Sequence, residues 1–157
     1  MSASAAPDLH TVDHVDLSRY MGRWNVISHT PNLFEKHKVG TSDNYTMDAD
    51  GTIHVVFLFR KDSIVNKVKS WKGTGHVVNT ATNAEWKVRM FWPFTAGYHI
   101  IELDPDYQWV VATTDQGKLI WIMSRSTYMP EEQYNALVQK LAARGLDTGK
   151  LEKVQQQ

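Results

Sequence analysis

Carboxylates and histidines are the side chains of this sequence that could carry acid–base or metal chemistry. Asp43 and Glu102 lie in separate, largely apolar segments, and together they could form the acid–base pair of an isomerase or hydrolase. None of the seven histidines stands in a His-x-His or His-Glu-x-x-His spacing, so we expect no metal site. Gly-x-Ser-x-Gly and phosphate-binding loops are also missing from the sequence. Motifs of this kind therefore assign no reaction, and we expect no cofactor.

The composition is typical of a globular protein with few reactive groups. The chain has 157 residues, 42% hydrophobic and 22% charged, which is a length and balance typical of one folded domain. The 17 Lys and Arg residues equal the 17 Asp and Glu residues, so we expect no nucleic-acid partner. The absence of cysteine excludes disulfides, thiolate nucleophiles and zinc–thiolate sites. No apolar run approaches the ~20 residues of a membrane-spanning helix.

Short segments rich in β-branched and aromatic residues alternate with turn residues along most of the chain. They predict eight strands joined by hairpin-length connections, and hence an all-β barrel or sandwich. The predicted strands are Trp24–Thr30, Thr41–Met47, Thr52–Arg60, Ser70–Val78, Glu85–Phe91, Tyr98–Leu103, Gln108–Thr114 and Lys118–Arg125.

One later segment has helical periodicity instead. Pro130-Glu131-Glu132 predicts a helix start, because proline suits the first turn and acids favour the positive end of the helix dipole. An apolar stripe follows, and Gly145 marks the end of the helix. The stripe consists of Tyr134, Leu137, Val138 and Leu141. We expect this helix to cover Ile120 and Ile122 of the eighth strand, and a short last strand, Lys150–Val154, to close or extend the sheet.

Three short motifs resemble the signatures of the lipocalin family. Gly22-Arg23-Trp24 is similar to the Gly-x-Trp that begins a lipocalin barrel. Leu103-Asp104-Pro105-Asp106-Tyr107 resembles the Thr-Asp-Tyr turn of the second signature, and Trp121-Ile122-Met123-Ser124-Arg125 matches the third, an Arg that ends the eighth strand. The motifs occur in the family's order and at barrel spacing, and the resemblance covers Val15 to Gln156.

Further matches point to one branch of the family. Bacterial lipocalins of the apolipoprotein-D-like group have segments similar to Pro31-Asn32-Leu33-Phe34-Glu35, Trp92-Pro93-Phe94 with Gly97-Tyr98, and Gly145-Leu146-Asp147 with Val154-Gln155-Gln156. The resemblance implies an eight-stranded up-and-down antiparallel barrel with one C-terminal helix packed outside and a short final strand. It implies a single domain over residues 15–157, preceded by a loose tail over residues 1–14.

The resemblance also implies how one end of the barrel is closed. The family's Arg, matched by Arg125, lies across the indole that Trp24 matches, and such a contact is worth ~1–2 kcal/mol when partly desolvated. We expect these two residues to close the barrel together with Gly22, Asp106 and Tyr107.

Strand alternation, carried across the resemblance, predicts which side chains face the lumen. Most are apolar or aromatic, as a small-molecule pocket requires. They are Val26, Ser28, Tyr45, Val55, Phe57, Trp71, Val88, Met90, Tyr98, Ile100, Trp121 and Met123. Asp43 and Glu102 would also face inward, where they could bind a polar head group or line a wet pocket. Phe34 and Phe94 belong to loops at the expected mouth, and the barrel could be solid or hold one small ligand.

Lipocalin resemblance implies binding, storage or transport of a small lipophilic ligand of the fatty-acid or lysophospholipid type, without enzymatic activity. The alternative is a lipocalin-fold enzyme that acts on a small molecule through Asp43 and Glu102. A third possibility is a barrel whose outer surface recognises a protein, such as a second copy in a homodimer. The small, polar start suits a protein whose export signal was removed, which predicts a periplasmic or outer-membrane-associated location; otherwise the protein would be cytoplasmic.

Overall fold

Within residues 6–91 and 94–156, which the computed structural model describes, eight antiparallel strands close into a barrel, as predicted. The elements in chain order are helix α1 (Leu17–Tyr20), strands β1 (Gly22–His29), β2 (Lys38–Met47), β3 (Ile53–Lys61), β4 (Val68–Val77), β5 (Glu85–Phe91), β6 (Phe94–Leu103), β7 (Trp109–Thr113) and β8 (Ile120–Ser124), helix α2 (Glu131–Ala143), a 3-10 turn (Thr148–Lys150) and strand β9 (Glu152–Lys153). Each strand pairs with the next, and β1 pairs with both β2 and β8, which closes the ring.

Four strands begin earlier than the alternation predicts. Strands β1, β2, β4 and β6 begin at Gly22, Lys38, Val68 and Phe94. The additional residues form ladder pairs with neighbours, such as Lys38 with Lys61 and Val68 with Arg60. These residues join the strands by pairing with the neighbouring strand, which the pattern within their own segment does not contain.

The C-terminal segment fills a gap in the wall between β1 and β2. The first half of β1 pairs with β2, but Ser28 and His29 pair with β9 instead. Gly40 N donates to Gln155 O at 2.7 Å, and the Gln156 side chain donates to Val26 O at 2.7 Å. The final strand therefore seals the place where β1 and β2 separate.

Two apolar cores lie on opposite sides of the sheet. The inner core fills the closed end of the barrel and includes Val26, Ile100 and Met123. The outer core lies between the barrel wall and α2, where Leu137 and Leu141 pack among Ile27, Ile101, Val111, Ile120 and Ile122. The predicted cover over Ile120 and Ile122 is thus present.

A β-bulge in β1 corrects the orientation of Ser28, which was expected to face the lumen. The register of β1 against β8 shifts between Val26 and Ser28, so Ile27 is an extra residue in the strand. Ser28 Oγ accepts a hydrogen bond of 2.8 Å from the hydroxyl of Tyr134 on α2. Ser28 therefore faces the helix outside the barrel, because a bulge breaks the two-residue alternation.

A second bulge corrects the orientation of Glu102. The register of β6 against β7 shifts between Ile100 and Glu102, which places Glu102 on the outer face. There its carboxylate lies 3.0 Å from Lys140 Nζ and 3.2 Å from Arg144 Nε, both on the α2 side of the wall. The expectation of an inward-facing Glu102 is wrong.

The described part of the N-terminal segment, residues 6–14, is also more ordered than the loose tail we expected. Asp8 N donates to Arg144 O at 2.8 Å, and the Arg144 guanidinium donates to His10 O at 2.9 Å. Val12 N donates to Ile100 O at 3.1 Å, and the Leu9 side chain packs against the outer core. This segment therefore lies against the barrel and the end of α2.

Truncation of Leu141 tests the contribution of the outer core. Leu141 is completely buried, so Leu141→Ala is expected to lower the free energy of unfolding by about 2–5 kcal/mol, through lost burial and a new cavity. Leu33→Ala is the matched control, since Leu33 is 87% exposed, and it should change stability by no more than about 0.5 kcal/mol. Urea denaturation of both variants measures the difference, and equal losses would contradict the assigned packing.

Candidate ligand-binding cavity

Arg125 holds the closed end of the barrel. Its guanidinium carbon lies 3.7 Å from the ring centre of Trp24. The same group donates to the backbone carbonyls of Arg23 and Arg19, each at 2.8 Å, and of Tyr107 at 3.2 Å. Charge-assisted hydrogen bonds of this kind tie β8, β1, α1 and the β6–β7 turn together.

Three other motif residues were expected to close this end of the barrel. Gly22 and Tyr107 contribute to the closure, whereas Asp106 does not. Gly22 has φ +100°, and a Cβ there would lie 3.3 Å from Arg125 Nη1, so a side chain would be strained and crowded. The Tyr107 hydroxyl accepts from Asp16 N at 2.8 Å. Asp106 is exposed, and it is the carboxylate of Asp104 that accepts from the backbone of the turn.

Above this closure, packed aromatic rings form the floor of the lumen. Trp86 and Tyr98 stack with ring centres 4.9 Å apart, and Tyr45 meets Trp86 edge-on at 5.6 Å. Tyr20 of α1 packs between them and Trp24, with centres 5.2 Å from Trp24. Among the described residues, these rings fill this end of the barrel below the cavity.

A cavity of about 320 Å³ lies between this floor and the open end of the barrel. Nine side chains predicted to face the lumen line it: Asp43, Tyr45, Val55, Phe57, Trp71, Val88, Met90, Tyr98 and Trp121. Val26, Ile100 and Met123 also point inward, but they are packed in the core beneath the cavity. Of the two expected mouth residues, Phe34 lines the cavity and is 49% exposed, whereas the Phe94 side chain lies outside the described residues.

Several lining residues were not predicted. Leu119 precedes Trp121 by two positions, so strand alternation could have identified it. Asn32 and Glu35 lie in the β1–β2 loop, and no periodicity indicates where a loop side chain points. The remaining additions are Thr95, Ala96, Gly97 and Thr114.

Glu35 links the mouth loop to the wall of the cavity. Its Oε2 accepts from Trp121 Nε1 at 2.8 Å and from Asn32 Nδ2 at 2.7 Å. His29 Nδ1 lies 3.4 Å from Oε1. Burial acts to raise the pKa of the Glu35 carboxyl, but these neighbours outweigh it and hold the pKa below its usual value. Glu35 is therefore a satisfied, ionised group that fixes the loop.

Lys38 covers aromatic rings beside the mouth. Its ammonium lies 4.4 Å from the ring centre of Trp71 and 5.1 Å from that of Phe59. Burial lowers the pKa of this lysine, although Glu35 acts in the opposite direction. The open end thus carries a cation against an aromatic wall.

Asp43 lies deeper, next to a group of tyrosine hydroxyls. Tyr45 OH donates to Asp43 Oδ2 at 3.4 Å and lies 3.2 Å from Tyr98 OH, which in turn is 2.5 Å from Tyr20 OH. Burial, together with the negative charge of Glu35, raises the pKa of Asp43 from 3.8 to about 7, against a smaller opposing effect of Tyr45. In contrast to Glu35, Asp43 is therefore a carboxyl group in the cavity whose ionised form the protein stabilises only weakly.

The acid–base pair expected for an enzyme is not formed. Asp43 lines the cavity, but Glu102 lies outside the barrel in ion pairs with Lys140 and Arg144. Among the described residues, no group of three or more His, Asp or Glu side chains is placed to hold a metal ion.

An up-and-down barrel with one sealed end, an apolar cavity and a single C-terminal helix defines the class of ligand-cavity barrels that includes the lipocalins. Residues 15–156 match the family model of the lipocalin-like domain. The chain therefore belongs to the lipocalin-like family.

Curated relatives and a solved structure agree with this assignment. The chain is 32% identical to temperature-induced lipocalin-1 of Arabidopsis thaliana, over 95% of this chain and 83% of that protein. It is 27% identical to the outer membrane lipoprotein Blc of Escherichia coli K12, over 92% of this chain and 81% of that protein. Insecticyanin of the tobacco hornworm Manduca sexta has a similar fold, with a TM-score of 0.73 at 18% identity, covering 99% of this chain and 88% of that one. None of the helices in the described residues has the length and apolarity needed to span a membrane.

Replacement of Asp43 tests the electrostatics of the cavity. Between pH 4 and 7 the folded state retains a proton on Asp43 that the unfolded state has lost, so this residue lowers stability as the pH rises. One pKa unit corresponds to about 1.4 kcal/mol, and solvent in the cavity reduces the effect. Asp43→Asn should therefore gain about 2 kcal/mol in unfolding free energy relative to wild type between pH 4 and pH 8. Denaturant titrations across this range measure the gain, and a difference independent of pH would contradict it.

Proposed function

We propose that the protein binds a small lipophilic ligand non-covalently in the barrel cavity and stores or transports it. The observation that carries this proposal is the cavity of about 320 Å³, closed at one end and lined mainly by aromatic and aliphatic side chains. Pockets for small molecules are predominantly apolar with a few placed polar groups, which describes this lumen.

The size of the cavity favours a ligand with one alkyl or acyl chain, such as a fatty acid or lysophospholipid. Ligand pockets range over ~300–1,000 Å³, and this one lies near the lower limit. The chain would lie against lining side chains that include Phe57, Trp71 and Trp121. An anionic head group left at the mouth would meet the ammonium of Lys38.

The driving force would be transfer of the chain from water. Each buried methylene contributes ~0.8 kcal/mol, and the cost of association is offset only when many are buried. The aromatic floor is already packed, so the lower boundary of the cavity is formed before the chain enters. Pre-organisation of this kind supports binding, and the separation of Asp43 from Glu102 argues against the acid–base enzyme.

A location in the bacterial cell envelope is part of the proposal. It is supported by the relative named an outer membrane lipoprotein, which matches over 92% of this chain.

A larger side chain inside the cavity should block binding. Val88→Phe fills part of the lumen, so we expect dodecanoate and a twelve-carbon lysophosphatidylcholine to bind at least about tenfold more weakly than to wild type. Val78→Phe is the matched control, because Val78 is 53% exposed and lies outside the cavity, and its dissociation constants should stay within about twofold. Isothermal titration calorimetry measures both variants.

Equal affinities in the two variants would place any bound lipid outside the lumen. If wild type bound neither these lipids nor any neutral twelve-carbon compound, the proposed function would be wrong. Circular dichroism of both variants checks that the barrel is intact.

A further inference from the structure

Asp43 has hydrogen-bond acceptor capacity that the rest of the protein does not use. Among the described residues its one hydrogen-bond donor is the Tyr45 hydroxyl, at a long distance of 3.4 Å from Oδ2. An ionised carboxylate offers about four acceptor positions on its two oxygens. Asp43 is half-buried and lines the cavity, so solvent or a ligand there can supply donors to the remaining positions.

The tyrosine group cannot make up this deficit. Tyr45 OH is within hydrogen-bond distance of both Asp43 Oδ2 and Tyr98 OH, but a hydroxyl carries a single proton. Tyr45 can therefore donate to only one of these oxygens at a time. Tyr98 OH is also shared with Tyr20 OH, so the hydroxyls largely satisfy one another.

The charge of the lumen has one sign. The described lining residues include two carboxylates, Asp43 and Glu35, and no Lys, Arg or His. Glu35 already accepts hydrogen bonds from Asn32 and Trp121, so it needs no ligand group. Lys38 reaches the rings beside the mouth and is itself not part of the lining. A ligand group close to Asp43 thus meets a negative site with open acceptors.

We propose that Asp43 is a specificity-determining residue that accepts a hydrogen bond from an amino or hydroxyl group on the buried end of the ligand. This inference rests on the proposed function and changes the order of its ligands: a fatty acid or lysophospholipid, whose chain enters methyl end first, still binds, but more weakly than a single-chain lipophile with a donor at its buried end. The preferred ligands are single-chain lipophiles with a hydrogen-bond donor at the end that reaches the floor, rather than chains whose buried end is a carboxylate or a bare methyl group.

The physical reason is the cost of removing water from a carboxylate. A chain that fills the lumen displaces the water around Asp43, and a terminal methyl group leaves most acceptor positions of the carboxylate without a donor. A ligand carboxylate would add repulsion between like charges, whereas an ammonium or hydroxyl group restores the lost hydrogen bonds.

A matched set of twelve-carbon compounds tests this preference at pH 8, where Asp43 is mainly ionised. The set is dodecylamine, dodecan-1-ol, methyl dodecanoate and dodecanoate, each below its aggregation concentration, with dissociation constants from titration calorimetry. Wild type should bind dodecylamine at least tenfold more tightly than dodecanoate, with dodecan-1-ol tighter than methyl dodecanoate.

Two variants separate charge from hydrogen bonding. Asp43→Asn removes the charge but keeps a hydrogen-bond acceptor. The affinity for dodecylamine should therefore fall at least tenfold and the affinity for dodecanoate should rise. The dissociation constant of dodecan-1-ol should change by less than about threefold. Asp43→Leu removes the acceptor, so the preference for dodecan-1-ol over methyl dodecanoate should also disappear. Asp62→Asn is the control, because Asp62 is an exposed carboxylate in the β3–β4 loop, and it should leave the order unchanged.

The outcomes distinguish this inference from the function on which it rests. Equal affinities for all four compounds in wild type, or the same order of affinity in Asp43→Asn, would overturn the role of Asp43 while leaving lipid binding in place. Binding of none of the four compounds would overturn the proposed function, and this inference with it.

Discussion

The contact between Arg125 and Trp24 is the interaction on which the architecture of the lumen depends. A guanidinium that stacks on the indole and donates to carbonyls of β1, α1 and the β6–β7 turn holds together segments distant in sequence. Because this end is closed, Tyr20, Trp86 and Tyr98 can pack into a solid floor above it. The cavity that the described residues form therefore lies towards the opposite end of the barrel, where its mouth opens.

Two β-bulges determine what lies inside and outside this barrel. Both occur where the wall meets α2, at Ile27 and near Ile101, and both place an additional apolar side chain under the helix. The helix therefore covers a surface that regular alternation would not provide. The same bulge in β6 moves Glu102 outward into ion pairs with α2, which leaves Asp43 as the carboxylate deep in the lumen.

The strand pattern, together with the family resemblance, predicted the barrel, the helix and much of the cavity wall. Tyr45, Phe57 and Trp121 line the cavity as alternation predicts, because their own strands contain no extra residue at these positions. It failed at Ser28 and Glu102, since a bulge depends on the register of a distant partner strand, which a period-two pattern does not contain.

The sequence failed for a different reason to predict the lining residues in the loop at the mouth. Glu35 belongs to the cavity because Trp121 and Asn32 donate to its carboxylate, and only the folded chain brings these groups together. Likewise, the sequence places Asp43 inward but cannot show that Tyr45 has one hydroxyl proton for two acceptors, Asp43 and Tyr98. Polar chemistry in this lumen is therefore a property of the tertiary structure, whereas its apolar lining is already visible in the strand pattern.

The most direct test of the account is a crystal structure of the protein grown with dodecylamine. The account predicts electron density for one extended chain inside the barrel, with its nitrogen within hydrogen-bond distance of Asp43 and its other end near Trp121. A lumen that contains only side chains or water, with the amine bound elsewhere or not at all, would contradict it.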